Sequence, residues 1–178
     1  MTDVAISILS PTPLYALEIW GNGSAVAARF EKANRFALPR MGRSAGNTDL
    51  RLIRFEPTVW LAEGNISKLD EIVGGDGALT AIGGGVARVR LSGPGWRSVL
   101  MEGGVFDAES DGFAPGCSAA TFIEHVAVRL HVVDDETCDA YVPSSFSAGL
   151  IHFWEEASKT LPASSSFGQT KTNLNPLI

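Results

Sequence analysis

Cysteine, histidine and tyrosine are scarce in this chain of 178 residues, which holds two cysteines, three histidines and two tyrosines. Cys117 and Cys138 stand far apart and in no C-x-x-C pattern, so the thiols alone make no zinc site. The default reading of such cysteines is as small buried hydrophobes. His125, His131 and His152 show no H-x-x-x-H or comparable ligand spacing, and no G-x-S-x-G turn offers them a nucleophile. No apolar run approaches the ~18 residues needed to span a bilayer. The opening Met1-Thr2-Asp3-Val4-Ala5 has neither a positive n-region nor an apolar h-region, which predicts no secretory signal. A reducing, cytoplasmic setting is expected. Basic residues are also few: net charge is −6, with a pI near 5.0, and this argues against nucleic acid as a partner.

Apolar residues are plentiful, 45% hydrophobic against 19% charged, with slightly positive mean hydropathy. Two readings fit: an ordinary Ala- and Gly-rich domain, or a subunit that hides part of its surface against other chains. The charge is uneven. Through Arg97 the chain carries 11 Lys/Arg and 9 Asp/Glu, and beyond it 3 and 11. The acidic second part faces either a basic partner or water.

The pattern predicts one domain over residues 1–162, built of two packed halves at about 1–82 and 83–162, and an extended tail over 163–178 rich in Ser, Thr and Asn. Leu14 to Trp20 is β-compatible and stops at Gly21-Asn22-Gly23. Asn22 or Ser24 then caps a helix with Val26, Phe30 and Ala33 about a turn apart. Residues 35–48 read as loop. Leu50–Phe55 and Thr58–Ala62 flank a Glu56-Pro57 hairpin, Asn65–Val73 is a short helix, and Ala78–Ile82 a short strand. Val86–Leu91 alternates apolar and basic residues, reading as a half-exposed strand. Ser92-Gly93-Pro94 opens a helix with Trp96, Val99 and Leu100 on its buried side. After acidic, turn-rich residues 105–116, β-stretches are expected near 118–124, 126–133 and 138–142. Ser144 or Ser145 caps a last helix whose apolar face is Phe146, Leu150, Phe153, Trp154 and Ala157. Strand, helix, strand pair, helix in each half favours an α+β fold of ferredoxin-like split βαβ units with helices packed on antiparallel sheets.

Candidate chemistry is sparse. Gly83-Gly84-Gly85 leads into a strand rather than a helix, so the dinucleotide turn is missing and the glycines read as a turn. Ser92-Gly93-Pro94-Gly95 has free N–H groups, as any helix start does. The histidines, placed on two strands and a helix, read as structural or surface groups. Arg29, Lys32, Arg35, Arg40 and Arg43 form a basic run, read as a solvated helix end and loop with an acidic partner as the alternative. Trp20, Trp60, Trp96 and Trp154 read as core anchors.

Four segments carry a family resemblance: Leu50 to Gly64 with Val59-Trp60-Leu61; Val89-Arg90-Leu91-Ser92-Gly93-Pro94; Phe113-Ala114-Pro115-Gly116-Cys117; and Tyr141-Val142-Pro143-Ser144-Ser145-Phe146 with its helix. In order and spacing these resemble the gamma subunit of heterotetrameric sarcosine oxidases over about residues 49–158. That subunit is similar in turn to the amino-terminal part of the aminomethyltransferase family, the tetrahydrofolate-binding fold. The resemblance implies an aminomethyltransferase-like α+β domain that packs against alpha, beta and delta subunits of an oxidoreductase complex acting on CH–NH groups. It implies FAD, FMN, NAD and tetrahydrofolate in those partners and none bound by this chain, with oxidative demethylation of sarcosine as the reaction. A homologous small subunit serves the related N-methylglutamate dehydrogenases. The Lys-Gly-Cys signature of iron–sulfur-related folate proteins is represented only by Gly116-Cys117, with Pro115 in the lysine position. No acid matches the aminomethyltransferase catalytic aspartate, so no catalytic, cofactor-binding or metal-binding residue is carried over. A stand-alone folate-binding protein and a small-molecule binding module are the alternatives.

Overall fold

The computed structural model describes residues 3–161; the expected tail over 163–178 lies outside them. The described chain runs β1 (Ala5–Ile8), β2 (Leu14–Ile19), α1 (Gly23–Asn34), β3 (Ser44–Gly46), β4 (Leu50–Arg54), β5 (Val59–Gly64), α2 (Leu69–Val73), β6 (Gly77–Ala81), β7 (Val86–Ser92), α3 (Trp96–Met101), β8 (Ser118–Ile123), β9 (Val126–Asp134), β10 (Thr137–Pro143) and α4 (Ser147–Thr160). Every strand pairing is antiparallel, in two five-stranded sheets of order β3-β4-β5-β2-β6 and β1-β7-β10-β9-β8. The α+β expectation is met.

Each sheet buries one face against helices and all or part of the other against its partner sheet. In the first, Leu17, Ile19, Leu50, Leu52, Trp60 and Ala62 point at α1 and α2 and close a core with Val26, Phe30 and Leu69. In the second, Val89, Leu91, Val128, Leu130, Ala140 and Val142 point at α3 and α4, around Trp96, Leu100, Leu150 and Trp154. The opposite faces meet each other. Leu14, Ile53, Phe55 and Leu61 of the first half pack on Tyr141 of the second. The result is helix, sheet, sheet, helix, an arrangement that follows from strands with alternating residues covered on both sides.

Strand β1 departs from the expected division at residue 82. It pairs with β7, placing Ile6 opposite Leu91, so the second sheet takes its outer strand from the start of the chain. The reason is topological. Residues 83–161 end in α4 with no closing strand, which leaves the outer edge of β7 open, and an open edge is a free row of hydrogen-bonding groups. β1 fills it.

Smaller corrections have local causes. The span 35–48 contains β3, which survives because it hydrogen-bonds both β4 and the second half: Ser44 N–H donates to Gly116 O at 2.9 Å and Ser118 N–H to Gly42 O at 2.9 Å. α2 begins at Leu69, since Asn65 Oδ1 accepts from Ser67 N at 3.1 Å and holds the preceding residues in a turn. α3 begins at Trp96, because Ser92 stays in β7 and Gly93 is left-handed at φ +110°. α4 starts at Ser147 after a 3₁₀ turn over Ser144–Phe146, and neither Ser144 nor Ser145 caps it. Phe146 therefore precedes the helix and is exposed rather than on its apolar face. Trp20 is 63% exposed; it follows β2 at the Gly21 turn and anchors nothing, whereas Trp60, Trp96 and Trp154 are buried as expected. Among the described residues, no helix is long and apolar enough to cross a membrane.

Candidate functional site: a closed polar seam and an open apolar trough

The face where the sheets meet is polar along one band. Arg88 and Arg90 alternate with core residues on β7, Asp139 and Tyr141 do so on β10, and register sets Tyr141 opposite Arg88 and Asp139 opposite Arg90. Across the gap, Glu63 sits at the end of β5, 6% exposed. Its Oε1 accepts from Tyr141 OH at 2.8 Å and from Arg88 Nη1 at 2.8 Å. Its Oε2 lies 3.5 Å from Arg51 Nη1. Arg88 Nη2 also donates to Thr12 Oγ1 at 3.1 Å. Burial, and then the Glu63 charge, push the Tyr141 phenol well above its ordinary value, so it stays protonated and donates.

Beside this cluster Arg90 grips the fully buried Asp139 with Nε to Oδ1 at 2.7 Å and Nη2 to Oδ2 at 2.8 Å. This two-pronged fit raises the guanidinium further. His131 on β9 is 3% exposed, and its Nε2 meets Ser44 Oγ at 2.8 Å. Burial, then the charge of Arg51, lowers its pKa to about 4. The imidazole is thus neutral inside the seam at neutral pH. The Ser44–His131 pair has nucleophile-and-base composition, but the ring Nδ1 has no hydrogen-bond partner and Asp139 is held by Arg90, so no third group orients a triad.

The other residues weighed in the sequence fall as follows. His125 lies in the β8–β9 turn at φ +66°, not on a strand. His152 is on the exposed side of α4. Cys117 and Cys138 are free and buried, and burial pushes the Cys138 thiol up. The basic run disperses. Arg29 pairs with Asp76 at 2.9 Å, Arg43 reaches the Cys117 sulfur, and Lys32, Arg35 and Arg40 are exposed. Gly83–Gly85 form a 3₁₀ turn. Among the described residues, no cluster of three or more His, Cys, Asp or Glu could hold a metal.

Sequence reading missed the seam, although it left a signal: Glu63 and Asp139 are charges placed inside otherwise apolar strands, next to Ala62 and between Cys138 and Ala140. It missed the second feature too. Where the first sheet stops short, the inner face of β8, β9 and β10 lies open as a trough of about 720 Å³, lined by Val86, Val105, Phe106, Phe122, Tyr141 and Pro143 with Glu56 and Arg129 at one side.

No family model and no curated protein matches the sequence. Among solved structures the fold is that of aminomethyltransferase-like domains. Glycine cleavage system aminomethyltransferase T from Bartonella henselae matches with a TM-score of 0.62 at 15% identity, over 92% of this chain but 47% of that one. A chain of the heterotetrameric sarcosine oxidase from Corynebacterium sp. U-96, solved in complex with pyrrole 2-carboxylate, matches more fully: TM-score 0.79 at 19% identity, over 91% of this chain and 87% of that one. At these identities the likeness is one of fold, and at that level it agrees with the resemblance read from the four sequence segments.

Proposed function

We propose that this chain is a non-catalytic small subunit, of gamma type, in a hetero-oligomeric flavin-dependent oxidase that demethylates sarcosine. One observation carries the reading. The chain is coextensive with a chain of a heterotetrameric sarcosine oxidase, 91% against 87%, whereas it spans only 47% of the aminomethyltransferase. It thus matches most of the length of that oxidase chain and about half of the aminomethyltransferase. The seam supports the same view. Both buried carboxylates, Glu63 and Asp139, are engaged by arginines that tie one half to the other or strand to strand, a structural use of charge. On this reading FAD, FMN, NAD and tetrahydrofolate are held by the larger partners, and this chain supplies shape and adhesive surface.

The test is to assemble the oxidase from its large subunits with and without this chain. The reading predicts that omission lowers the yield and thermal stability of the flavin complex, and that the isolated chain neither binds flavin nor turns over sarcosine. A complex equally stable and active without the chain refutes it. The half-length likeness to the aminomethyltransferase favours a second reading, a stand-alone folate-binding protein. Titration of the isolated chain with tetrahydrofolate separates the two, since tight binding belongs to the second alone.

A further inference from the structure

The trough is an apolar surface without a cover among the described residues. Val105 is 76% and Phe122 56% exposed, and both line the same hollow as Phe106, Val86 and Pro143. Ala120, Phe122 and Ala127 stand on the inner face of β8 and β9 beyond the reach of the first sheet, and all three are exposed. Contiguous apolar surface of this kind, walled rather than scattered, marks interaction sites.

The polar groups at the trough decide against a small molecule. A ligand pocket needs a few convergent polar groups left free to orient its guest. Here Arg129 Nη2 is already committed to Glu56 Oε1 at 2.6 Å, and Tyr141 OH points away into the seam toward Glu63 at 2.8 Å. What remains, beside the Thr121 hydroxyl, is apolar side chain and sheet backbone, a surface suited to the side chains of another polypeptide.

Charge narrows the partner. Between Arg97 and Arg129 there is no lysine or arginine, and there are five carboxylates: Glu102, Asp107, Glu109, Asp111 and Glu124. All five are exposed, and none forms an ion pair with a described residue. Three lie next to the Val105–Phe106 wall in sequence or through a backbone contact. Asp107 follows Phe106; Glu124 N–H donates to Gly103 O at 3.1 Å and Gly104 bridges Ile123, which draws Glu102 and Glu124 to the foot of the Val105 loop. Apart from the Arg129–Glu56 pair in the lining, the charges beside the Val105–Phe106 wall are of one sign and unpaired among the described residues.

From this juxtaposition we infer that the trough docks a segment of a partner subunit that presents a bulky apolar side chain flanked by lysine or arginine. The inference rests on the subunit reading and extends it by naming the face and the partner's chemistry. Apolar burial in the hollow supplies the affinity, and the acidic rim supplies orientation and on-rate, which makes the contact salt-sensitive.

The experiment coexpresses the full chain, affinity-tagged, with the flavin-bearing subunits of a heterotetrameric sarcosine oxidase, and compares wild type, Phe122→Asp, the pair Asp107→Lys with Glu124→Lys, and Trp20→Asp on the other half as control. Circular dichroism checks that each variant folds. The inference predicts that Phe122→Asp weakens capture about tenfold or more, that the charge-reversed pair also weakens it and flattens its salt dependence, and that Trp20→Asp stays within about twofold. It further predicts that hydrogen exchange in the assembled complex slows at 104–107 and 118–129. Capture by wild type and Phe122→Asp alike, with no slowing there, overturns the trough and leaves the subunit reading standing. Capture of no flavin subunit by wild type overturns both. Self-association of the isolated chain that Phe122→Asp abolishes overturns the committed partner in favour of a second copy.

Discussion

Replacing Glu63 with leucine tests what holds the two halves together. The carboxylate is 6% exposed and receives Arg88 and Tyr141 at 2.8 Å each. At the effective dielectric of a partly buried site, a close ion pair attracts by about 4 kcal/mol before desolvation is subtracted. Removing one partner alone leaves the Arg88 guanidinium, with its side chain only 16% exposed, uncompensated, and leaves the buried phenol without an acceptor. Breaking a buried pair in this way costs about 3–5 kcal/mol. For a domain of this size each kcal/mol is worth about 2–4 °C, so Glu63→Leu is expected to lower Tm by roughly 10 °C. Tyr141→Phe, which removes only one hydrogen bond to a charge, is expected to cost about 2 kcal/mol. The combined Glu63→Leu, Arg88→Met and Tyr141→Phe variant should recover most of the loss, because apolar groups of similar volume replace a buried network at little net cost. Urea unfolding, followed by the fluorescence of the buried tryptophans, reads all three. A Glu63→Leu cost below about 1 kcal/mol would refute the reasoning, since it would mean that water already solvates the seam.

Other expected outcomes follow from single sites. His131 has its pKa lowered to about 4 in the fold, against an ordinary 6.5, so the unfolded chain binds the extra proton. Its contribution is complete above about pH 6.5 and is lost as pH falls toward about 4, near 2 kcal/mol between roughly pH 7 and pH 5. His131→Asn should abolish that slope in pH-dependent unfolding, whatever it does to stability at neutral pH. Asn22 Oδ1 caps α1 by accepting from Ala25 N at 3.1 Å, so Asn22→Ala is expected to cost about 1 kcal/mol in a thermal melt. Gly64 sits at φ +101° with Asp49 O well inside contact distance of where a Cβ would be. Gly64→Ala should cost about 2 kcal/mol or more, and an unchanged Tm would show that the β4–β5 junction relaxes freely.

Much of the fold was legible because its strands obey a period of two. Val126–Asp134 and Thr137–Pro143 fall within a residue or two of the stretches expected from alternation and the Asp134-Asp135-Glu136 turn. The cap at Asn22 was readable from residue type alone. β1 was not legible, since its four residues are partly or wholly exposed and owe their order to the edge of β7, far along the chain. The half-exposed reading of β7 agrees with its partly buried residues, but the use of its arginines was not legible. Alternation places Arg88 and Arg90 on one face, but nothing local says that a second sheet will face them or that Glu63 and Asp139 will pair with them. Glu63 and Tyr141 meet across 78 positions of sequence, which no window-based pattern contains. Trp20 and Phe146 were assigned to cores on hydrophobicity alone, and a residue just past an element's end can as readily face outward.

The central claim, that the chain works as an adhesive subunit of a flavin oxidase, is tested most directly by the mass and colour of what it purifies with. Size-exclusion chromatography with light scattering and flavin absorbance, run on the full chain coexpressed with the large subunits of a heterotetrameric sarcosine oxidase, should return a single yellow species of defined stoichiometry containing it. The chain by itself should be colourless and inactive toward sarcosine. A chain that elutes alone while the flavin oxidase elutes complete and active without it would contradict the account.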